Sequence, residues 1–284
     1  MKTIIVGTGN LSSELRRKTI GDMIVLSARQ IVKDKSILKS LLDSDEVFNF
    51  IFNCFHTSAK LYGCPLNSLV ENSISNLSVI ISVIEESCCC INKVIYSSSS
   101  SVYGIASTNA CSEVTPVSPN SLYATLKLAC EQLIKEFCSS KGVDYTITRI
   151  FNMYGGDDKF SIINKIINAA VYKFPLTIIN NGLGVRDFIH VNDVADIYFK
   201  LLVVKNVPII NIGSGVGVSI SELINRIEKE GVFLSLKHKS NPNEIHKSVA
   251  NIKLLRTLFV EKDFRAVRDD LHNSIKKVVS KSYG

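Results

Sequence analysis

The sequence of 284 residues contains no apolar run that reaches the roughly 20 residues needed to cross a bilayer. The apolar stretch at residues 2–6 is too short for a signal-peptide core and has no cleavage site, so we interpret it as a buried first strand. Internal repeats and low-complexity linkers are also missing, apart from the serine run at 97–101. With 46% hydrophobic residues the chain can bury a large core, and we expect a cytoplasmic protein with no membrane partner.

Cysteine is plentiful, but the spacings typical of metal sites and redox motifs are missing. Three of the eight cysteines are consecutive, Cys88–Cys90, and the others form no Cys-x-x-Cys pair. The five histidines form no ligand pattern with them. We therefore expect free thiols and no metal ion.

Positive charge is in excess, but it does not form a stripe. The formal net charge is +7, and the lysines are scattered along the chain, with the densest spot at residues 237–239. This distribution indicates a solvated surface with some attraction for a diphosphate ligand. We expect no nucleic-acid partner.

Two common catalytic arrangements are missing as well, the Gly-x-Ser-x-Gly turn and a pair of carboxylates. The chain instead carries Tyr123 and Lys127, downstream of the serine run. Because four residues is just over one helical turn, both side chains project from one face of a helix. A cation beside a phenol favours the phenolate, which predicts a lowered tyrosine pKa and proton exchange with a sugar or alcohol oxygen. A plain surface Tyr–Lys pair is the alternative.

A glycine turn follows the first predicted strand. Gly7 and Gly9 precede a predicted helix that starts with Asn10 and Leu11. Strand, glycine turn and helix start form an arrangement whose backbone amides receive a pyrophosphate. Ser12 replaces the third glycine of the full fingerprint, and a tight turn without a ligand is the alternative.

The end of the second predicted strand carries Ser27 and Arg29 where an acidic residue would hold the ribose hydroxyls of NAD. A guanidinium suits the 2′-phosphate of NADP instead. The sequence therefore favours NADP(H) as cofactor, with NAD(H) as the alternative and a solvated loop arginine as the interpretation without a ligand. Residues 30–44 are few for a complete helix and strand, so the connection to the third strand should be abbreviated.

Apolar strand-like runs alternate with helical periodicity, which predicts a parallel sheet covered on both faces. The strand candidates are residues 4–6, 23–26, 48–53, 93–97, 145–149 and 209–212, and the helical stripes cover 68–86, 120–137 and 160–172. We expect an α/β fold with a Rossmann-type doubly wound domain over 1–151. A smaller interleaved C-terminal substrate lobe over 152–284 would return one helix and one strand to the first sheet.

Together these features are similar to the extended short-chain dehydrogenase/reductases of the nucleotide-sugar epimerase, dehydratase and reductase group. The resemblance covers residues 4 to about 255 and depends on Gly7/Gly9, Asn72, residues 98–104, Tyr123/Lys127 and residues 149–155, 186–193 and 211–215. It implies an NAD(P)-dependent oxidoreductase fold and a nucleotide-sugar substrate. It also implies a homodimer, formed through the helices at about 68–86 and 120–138. Ile80, Val83, Leu128 and Ile134 are candidates for its outer face or, equally, for burial within the monomer.

The resemblance assigns three catalytic roles. Tyr123 would be the general acid/base, and Lys127 its electrostatic partner, which also holds the nicotinamide ribose. Ser99, three residues before Val-Tyr-Gly, would hydrogen-bond the reacting oxygen. Its neighbours Ser98 and Ser100 stay as alternatives.

Further positions match residues that contact substrate or support the site in this family. Asn152 and Arg186 match positions that contact the substrate diphosphate or nucleotide, although Arg186 could instead pair with Asp187. Asn72 matches an asparagine of a water relay, with a surface amide as the alternative. Asp193 is expected to cap the following helix.

The resemblance is more specific for the fold than for the reaction that the protein catalyses. Dehydratases carry an Asp-Glu pair where this chain has Ser100 and Ser101, so dehydration lacks its groups. The residues Ser27 and Arg29, the abbreviated connection and the short carboxyl-terminal lobe favour an NADPH-dependent reductase. Its substrate would be a nucleoside-diphosphate 4-keto-6-deoxyhexose for surface polysaccharide such as O-antigen. An NAD-dependent UDP-hexose 4-epimerase is the alternative, followed by a non-catalytic NADP-binding protein.

Overall fold

The computed structural model describes residues 1–19, 22–53, 65–87, 89–105, 110–242, 244–260 and 262–282, with side chains up to residue 276. Cys54, Cys64 and Cys88 lie outside the described residues. The other five cysteines are free thiols. Across the described ranges, none of the helices has both the length and the apolarity of a bilayer span.

The strands are β1 (Lys2–Val6), β2 (Met23–Leu26), β3 (Val47–Phe52), β4 (Cys90–Ser99), β5 (Asp144–Ile150), β6 (Asn152–Tyr154), β7 (Leu176–Ile179), β8 (Val185–His190), β9 (Ile209–Ile212), β10 (Gly217–Ser219), β11 (Leu236–Lys239) and β12 (Lys247–Ser248). The α-helices are α1 (Asn10–Lys18), α2 (Ala28–Lys33), α3 (Ser36–Leu42), α4 (Leu66–Val70), α5 (Asn76–Glu85), α6 (Leu122–Lys141), α7 (Ile162–Tyr172), α8 (Val191–Leu201), α9 (Ile220–Lys229), α10 (Lys253–Leu258) and α11 (Val267–Ser282). All six strand candidates of the sequence are found among these elements.

The chain divides into two compact units, and each is built from segments that are separate in sequence. One unit contains Met1–Val102, Pro119–Ile150 and Ala195–Ile210, and the other contains Tyr103–Ser118, Phe151–Val194 and Asn211–Gly284. The sequence did not predict that Tyr103–Ser118 belongs to the second unit. A backbone bridge between Cys111 and Ala250 and a hydrogen bond from the Tyr103 hydroxyl to Asn211 account for this. The division into a dinucleotide-binding and a substrate domain stays a proposal.

A six-stranded sheet in the order β2-β1-β3-β4-β5-β9 forms the centre of the first unit. The pairs from β2 to β5 are parallel, and alternating helices supply the crossovers, which confirms the Rossmann-type α/β fold. The chain runs from β1 outward to β2 and then to the opposite side of β1 at β3. Because ligands of open parallel sheets bind beyond the carboxyl ends of strands where the order reverses, the ends of β1 and β3 mark the expected cofactor site.

The connection between β2 and β3 is abbreviated, as its length predicts. It holds only the two short helices α2 and α3, and it contains no further strand. Their apolar residues Ile31, Leu38 and Leu42 are buried in the core of the first unit. The sheet therefore ends at β2.

The helical stripe at 68–86 is interrupted, because one π-helical turn at Glu71–Ser75 separates α4 from α5. Ile80 and Val83 of α5 and Ile134 of α6 belong to the core of the first unit. Of the two alternatives for these residues, burial within the monomer is therefore the correct one. An outer apolar face made from them is wrong.

The second unit has its own small sheets and core. β8 pairs with β10, β12 and β6, and β7 pairs with β11. Helices α7, α9 and α11 pack apolar side chains against them around the buried residues Ile166, Phe188 and Leu223. Asn152 of β6 and Arg186 of β8 thus lie on neighbouring strands.

Candidate active site

Helix α6 presents Tyr123 and Lys127 one turn apart, as their spacing predicts. The helix begins after Ser121, whose hydroxyl accepts a hydrogen bond from the amide of Ala124 at 3.2 Å. It ends at Gly142, whose left-handed backbone (φ 63°) suits glycine. Both candidate residues therefore lie near a helix start that is fixed by its cap.

Ser99 is the residue of the serine run that lies near enough to the Tyr123 phenol to act on its pKa, in the lowering direction. It is the last residue of β4, and its hydroxyl also accepts a hydrogen bond from the amide of Ser101 at 3.2 Å. The Ser98 hydroxyl instead donates to Glu131, 2.5 Å away in the core. Of these two serines Ser99 is therefore the one beside Tyr123, and its catalytic role stays a prediction.

Lys127 is buried beside two aromatic rings. Its Nζ donates to the Ser97 carbonyl at 2.7 Å and lies 5.3 Å from the ring centroid of Tyr96 and 6.0 Å from that of Tyr123. Ammonium groups over aromatic faces are electrostatically favourable. The cation is thus held near the tyrosine ring.

The expected lowering of the Tyr123 pKa is wrong. Burial raises the pKa of this phenol, because the phenolate would lose its hydration, and the nearby Ser99 opposes the rise only in part. The Lys127 ammonium interacts with the π-system of the Tyr123 ring and with the Ser97 carbonyl, and both interactions partly compensate its positive charge. Tyr123 therefore holds its proton at neutral pH.

The loop after β1 fits a dinucleotide pyrophosphate. Gly7 has φ 126°, a backbone conformation that favours glycine, and Gly9 precedes α1 with no side-chain hydrogen bond capping the helix. The first turn of α1, which starts at Asn10 and the buried Leu11, contains no acidic residue. Its amide groups and positive dipole end thus suit an anion.

Ser12 occupies the place of the third glycine and is almost fully buried. The side-chain amide of Asn53, directly after β3, donates to its hydroxyl at 2.8 Å. The serine thus replaces the close packing of a glycine with a hydrogen bond from α1 to the end of β3. The sequence did not mark Asn53 as a site residue, since nothing in its surroundings distinguishes it from other polar residues at strand ends.

Arg29 lies in the first turn of α2, just after β2, and Ser27 precedes α2 as its cap residue. The Arg29 guanidinium is exposed, and its Nε donates to the Asn72 side chain at 2.8 Å. Asn72 in turn donates to the Ser68 carbonyl at 2.6 Å. The asparagine for which the resemblance implies a water relay thus holds this arginine.

In the second unit, Asn152 donates from its side chain to the Asp187 carbonyl at 3.0 Å. Arg186 forms an ion pair with Glu244, with 3.1 Å between Nη2 and Oε1, so the alternative of an Arg186–Asp187 pair is wrong. Burial lowers the pKa of the guanidinium, and Glu244 opposes that shift. Glu244 is 58 residues away in sequence, and no motif pointed to it.

The carboxylate of Asp187 is buried and accepts hydrogen bonds from Ser214, Gly215 and the Ala250 amide. Burial raises its pKa, while these donors act in the opposite direction. Asp187 therefore fixes the glycine-containing loop after β9. Its neighbour Arg186 is thereby held on a rigid strand.

The prediction that Asp193 caps α8 is wrong. His190 caps this helix, since its Nδ1 accepts from the Asn192 amide at 3.1 Å. Asp193 lies in the first turn of α8 and accepts from the amide of Arg265, with Lys262 3.3 Å away. Its carboxylate thus holds residues from the carboxyl-terminal part of the second unit.

The sequence model of the family described as "NAD dependent epimerase/dehydratase family" matches residues 7–213 of this chain. The chain is 31% identical to a "Putative UDP-glucose 4-epimerase" of Methanocaldococcus jannaschii over 67% of this chain and 63% of that protein. It is 27% identical to "GDP-6-deoxy-D-talose 4-dehydrogenase" of Aggregatibacter actinomycetemcomitans over 75% of this chain and 74% of that protein. The fold superimposes on the Thermus thermophilus UDP-glucose 4-epimerase in complex with NAD with a TM-score of 0.85 and 17% identity, covering 98% of this chain and 99% of that one.

The match with the Methanocaldococcus protein spans just under two thirds of that relative's length. The structural likeness, at 17% identity, is a likeness of fold. The family match, however, covers most of the chain, including the glycine loop, Ser99, Tyr123, Lys127 and Arg186. The two relatives described above have names that refer to nucleotide sugars, and the chain belongs to the NAD-dependent epimerase/dehydratase family.

Proposed function

We propose that the protein is an NAD-dependent 4-epimerase of a UDP-hexose. The observation that carries this proposal is the juxtaposition of Tyr123 and Ser99, with Lys127 on the next turn of the same helix. Two of the three relatives described above are named UDP-glucose 4-epimerase, and one of these holds NAD. These findings support the epimerase better than the reductase that the sequence favoured.

The cofactor would lie at the carboxyl ends of β1 and β3. The amides at Gly9, Asn10 and Leu11 would bind its pyrophosphate, with Gly7 allowing the close approach of the backbone. Ser27 and Arg29 would contact its adenosine ribose, and Lys127 its nicotinamide ribose. Bound NAD supplies an acceptor and donor of hydride for the sugar carbon.

The proton chemistry belongs to Tyr123 and Ser99. In a 4-epimerisation the sugar hydroxyl loses its proton and later regains one on the same oxygen, so one residue can carry the proton through both steps. Tyr123 would accept it and return it, while Ser99 hydrogen-bonds the same oxygen and stabilises the charge that develops there. Because burial raises the pKa of Tyr123, the positive charge of Lys127 is needed to make the phenol a base.

The substrate diphosphate would be bound in the second unit by Arg186 and Asn152. A planar guanidinium can donate two parallel hydrogen bonds to phosphate oxygens. Arg186 is partly exposed and is fixed on β8. Its ion pair with Glu244 would have to rearrange or share the guanidinium when a diphosphate binds.

The second candidate is the NADPH-dependent reductase of a nucleoside-diphosphate 4-keto-6-deoxyhexose. The exposed Arg29 in the first turn of α2, just after β2, favours it, because a guanidinium there suits a 2′-phosphate. The relative from Aggregatibacter, named as a 4-dehydrogenase of a GDP-6-deoxy sugar, points in the same direction. Dehydration has less support, since Ser100 and Ser101 supply neither the acid nor the base it needs.

The two candidates differ in whether cofactor is consumed. We expect purified protein to interconvert UDP-galactose and UDP-glucose without a net change in the absorbance of the reduced cofactor, NADH. Tyr123→Phe should lower turnover by about 10²- to 10⁴-fold, the usual contribution of a general acid/base, while NAD binding is retained. Full turnover by Tyr123→Phe would contradict the mechanism. Consumption of NADPH with a 4-keto-6-deoxy sugar, and no interconversion of UDP-hexoses, would establish the reductase instead.

A further inference from the structure

One face of α6 contacts the carboxyl end of β4 through three successive turns. Tyr123 and Lys127 make two of these contacts, as described above. The third is made by Glu131, one turn further along, whose Oε1 accepts a hydrogen bond from the Ser98 hydroxyl at 2.5 Å. Glu131 is thus four residues from Lys127 and eight from Tyr123, and it lies along the same helix face.

The carboxylate of Glu131 is held in a fixed orientation by a second strand. Arg149 of β5 donates from Nε to Oε1 at 3.1 Å and from Nη2 to Oε2 at 2.8 Å, so the guanidinium binds both oxygens. Both residues are buried, and Glu131 has no exposed surface. A forked pair of this kind fixes position and angle at once, which a single contact does not.

Stability alone does not explain this arrangement. Removing two charges from water costs about as much as their attraction returns, and apolar residues of similar volume often serve stability equally well. An apolar pair does not fix the orientation of a helix, because it tolerates small sliding and rotation of that helix. Catalysis is sensitive to such motion, since misplacing a reacting group by roughly 1 Å can reduce the rate about 10²-fold.

We propose that Glu131 is a positioning residue that, held by Arg149, fixes α6 on β4 through Ser98 and so places Tyr123 against Ser99. Glu131 contacts no reacting group itself. This inference rests on the proposed function, because it relies on the acid/base role of Tyr123. It adds a buried element to the site that neither the tyrosine–lysine spacing nor the serine run contains.

The sharpest test is Ser98→Ala, which removes the link to α6 and leaves the ion pair intact. We expect kcat to fall by about 10- to 100-fold, with KM and the NAD dissociation constant unchanged. The titration of Tyr123, followed as tyrosinate absorbance of each variant minus its Tyr123→Phe counterpart, should shift toward the ordinary tyrosine pKa. The reason is that a displaced phenol regains water.

Thr146→Val is the matched control. Thr146 is a fully buried residue of β5 whose hydroxyl donates to the Val207 carbonyl at 2.7 Å, away from α6. This variant should lose similar stability while keeping kcat and the Tyr123 titration. If Ser98→Ala and Thr146→Val behave alike in both measurements, Ser98 and Glu131 are merely structural and the proposal is overturned.

A second variant tests the ion pair itself. Glu131→Gln alone removes the carboxylate from a buried guanidinium and endangers folding, so we choose the double change Glu131→Leu/Arg149→Leu. It should fold and bind NAD but show a reduced kcat and a shifted Tyr123 titration. A folded double variant with full kcat would refute the positioning role. If the unaltered protein epimerises no sugar, the proposed function fails, yet the Tyr123 titration needs no substrate and still decides the positioning role.

Discussion

At the scale of single residues, the serine run shows that neighbouring hydroxyls of one strand end serve different partners. The Ser97 hydroxyl is hydrogen-bonded to Tyr198 at 2.6 Å, the Ser98 hydroxyl donates to Glu131, and Ser99 lies beside Tyr123. Identical side chains thus acquire separate roles from the direction in which each leaves the backbone. Their chemistry is therefore testable one residue at a time.

We predict that Ser99→Ala lowers kcat by about 10- to 1000-fold, because the reacting oxygen loses a preorganised donor. Ser100→Ala is the matched control, since Ser100 begins the short 3₁₀ turn after β4 and has no assigned contact with Tyr123. Its kcat should equal that of the unaltered protein. Steady-state kinetics with the sugar nucleotide that proves to be the substrate decides between the two. Equal losses in both variants would show that the assignment within the run is wrong.

A second residue-scale prediction concerns Glu244, whose carboxylate neutralises Arg186. Glu244→Gln should tighten the binding of UDP several-fold, because a negative charge next to the diphosphate is removed. Glu222→Gln serves as control: Glu222 pairs with Arg268 on the surface of the same unit and undergoes the same change in charge. Calorimetry with UDP needs no turnover. Weaker binding by Glu244→Gln would mean that the carboxylate orients Arg186 for its ligand rather than competing with it.

At the scale of elements, the start of α6 matters because Tyr123 lies in its first turn. Ser121 caps this helix through the Ala124 amide, and Ser161 caps α7 through the Asn164 amide at 3.1 Å. We predict that Ser121→Ala and Ser161→Ala each lower the free energy of unfolding by about 1 kcal/mol. Chemical denaturation measures this loss.

Only Ser121→Ala should also reduce kcat, because fraying of the first turn of α6 displaces Tyr123. Ser161→Ala frays a helix that carries no assigned catalytic residue. A kcat that is unchanged in Ser121→Ala would mean that the contacts further along α6 hold Tyr123 without help from the cap. That outcome would leave the cap with an effect on stability alone.

At the scale of the whole molecule, cofactor choice can be read from thermal stability. A ligand at 100 times its dissociation constant stabilises the folded state by about 2.7 kcal/mol, a rise in Tm of roughly 5 °C for a chain of this size. We expect NAD to give the larger rise at equal concentration. A larger rise with NADP that disappears in Arg29→Ala would support the reductase and give Arg29 the role that the sequence suggested.

Much of the fold could be predicted because its signals are local. The apolar runs at 4–6, 23–26 and 209–212 match strands of the central sheet closely, since short continuous runs of β-branched and apolar residues favour strands. Helix α6 followed from its periodicity. Assigning Tyr103–Ser118 to the second unit was not possible, because it depends on contacts with Asn211 and Ala250, far away in sequence.

The sequence by itself determined the strand segments, the glycine loop after β1 and the one-turn spacing of Tyr123 and Lys127, because each depends on neighbours within a few residues. Only the tertiary structure decided which serine meets Tyr123, that Glu131 pairs with Arg149, and that Glu244 pairs with Arg186. It also reversed the expected pKa shift of Tyr123. The physical reason is common to all of these: burial and ion pairing are set by segments that meet only after folding, and local periodicity carries no record of them.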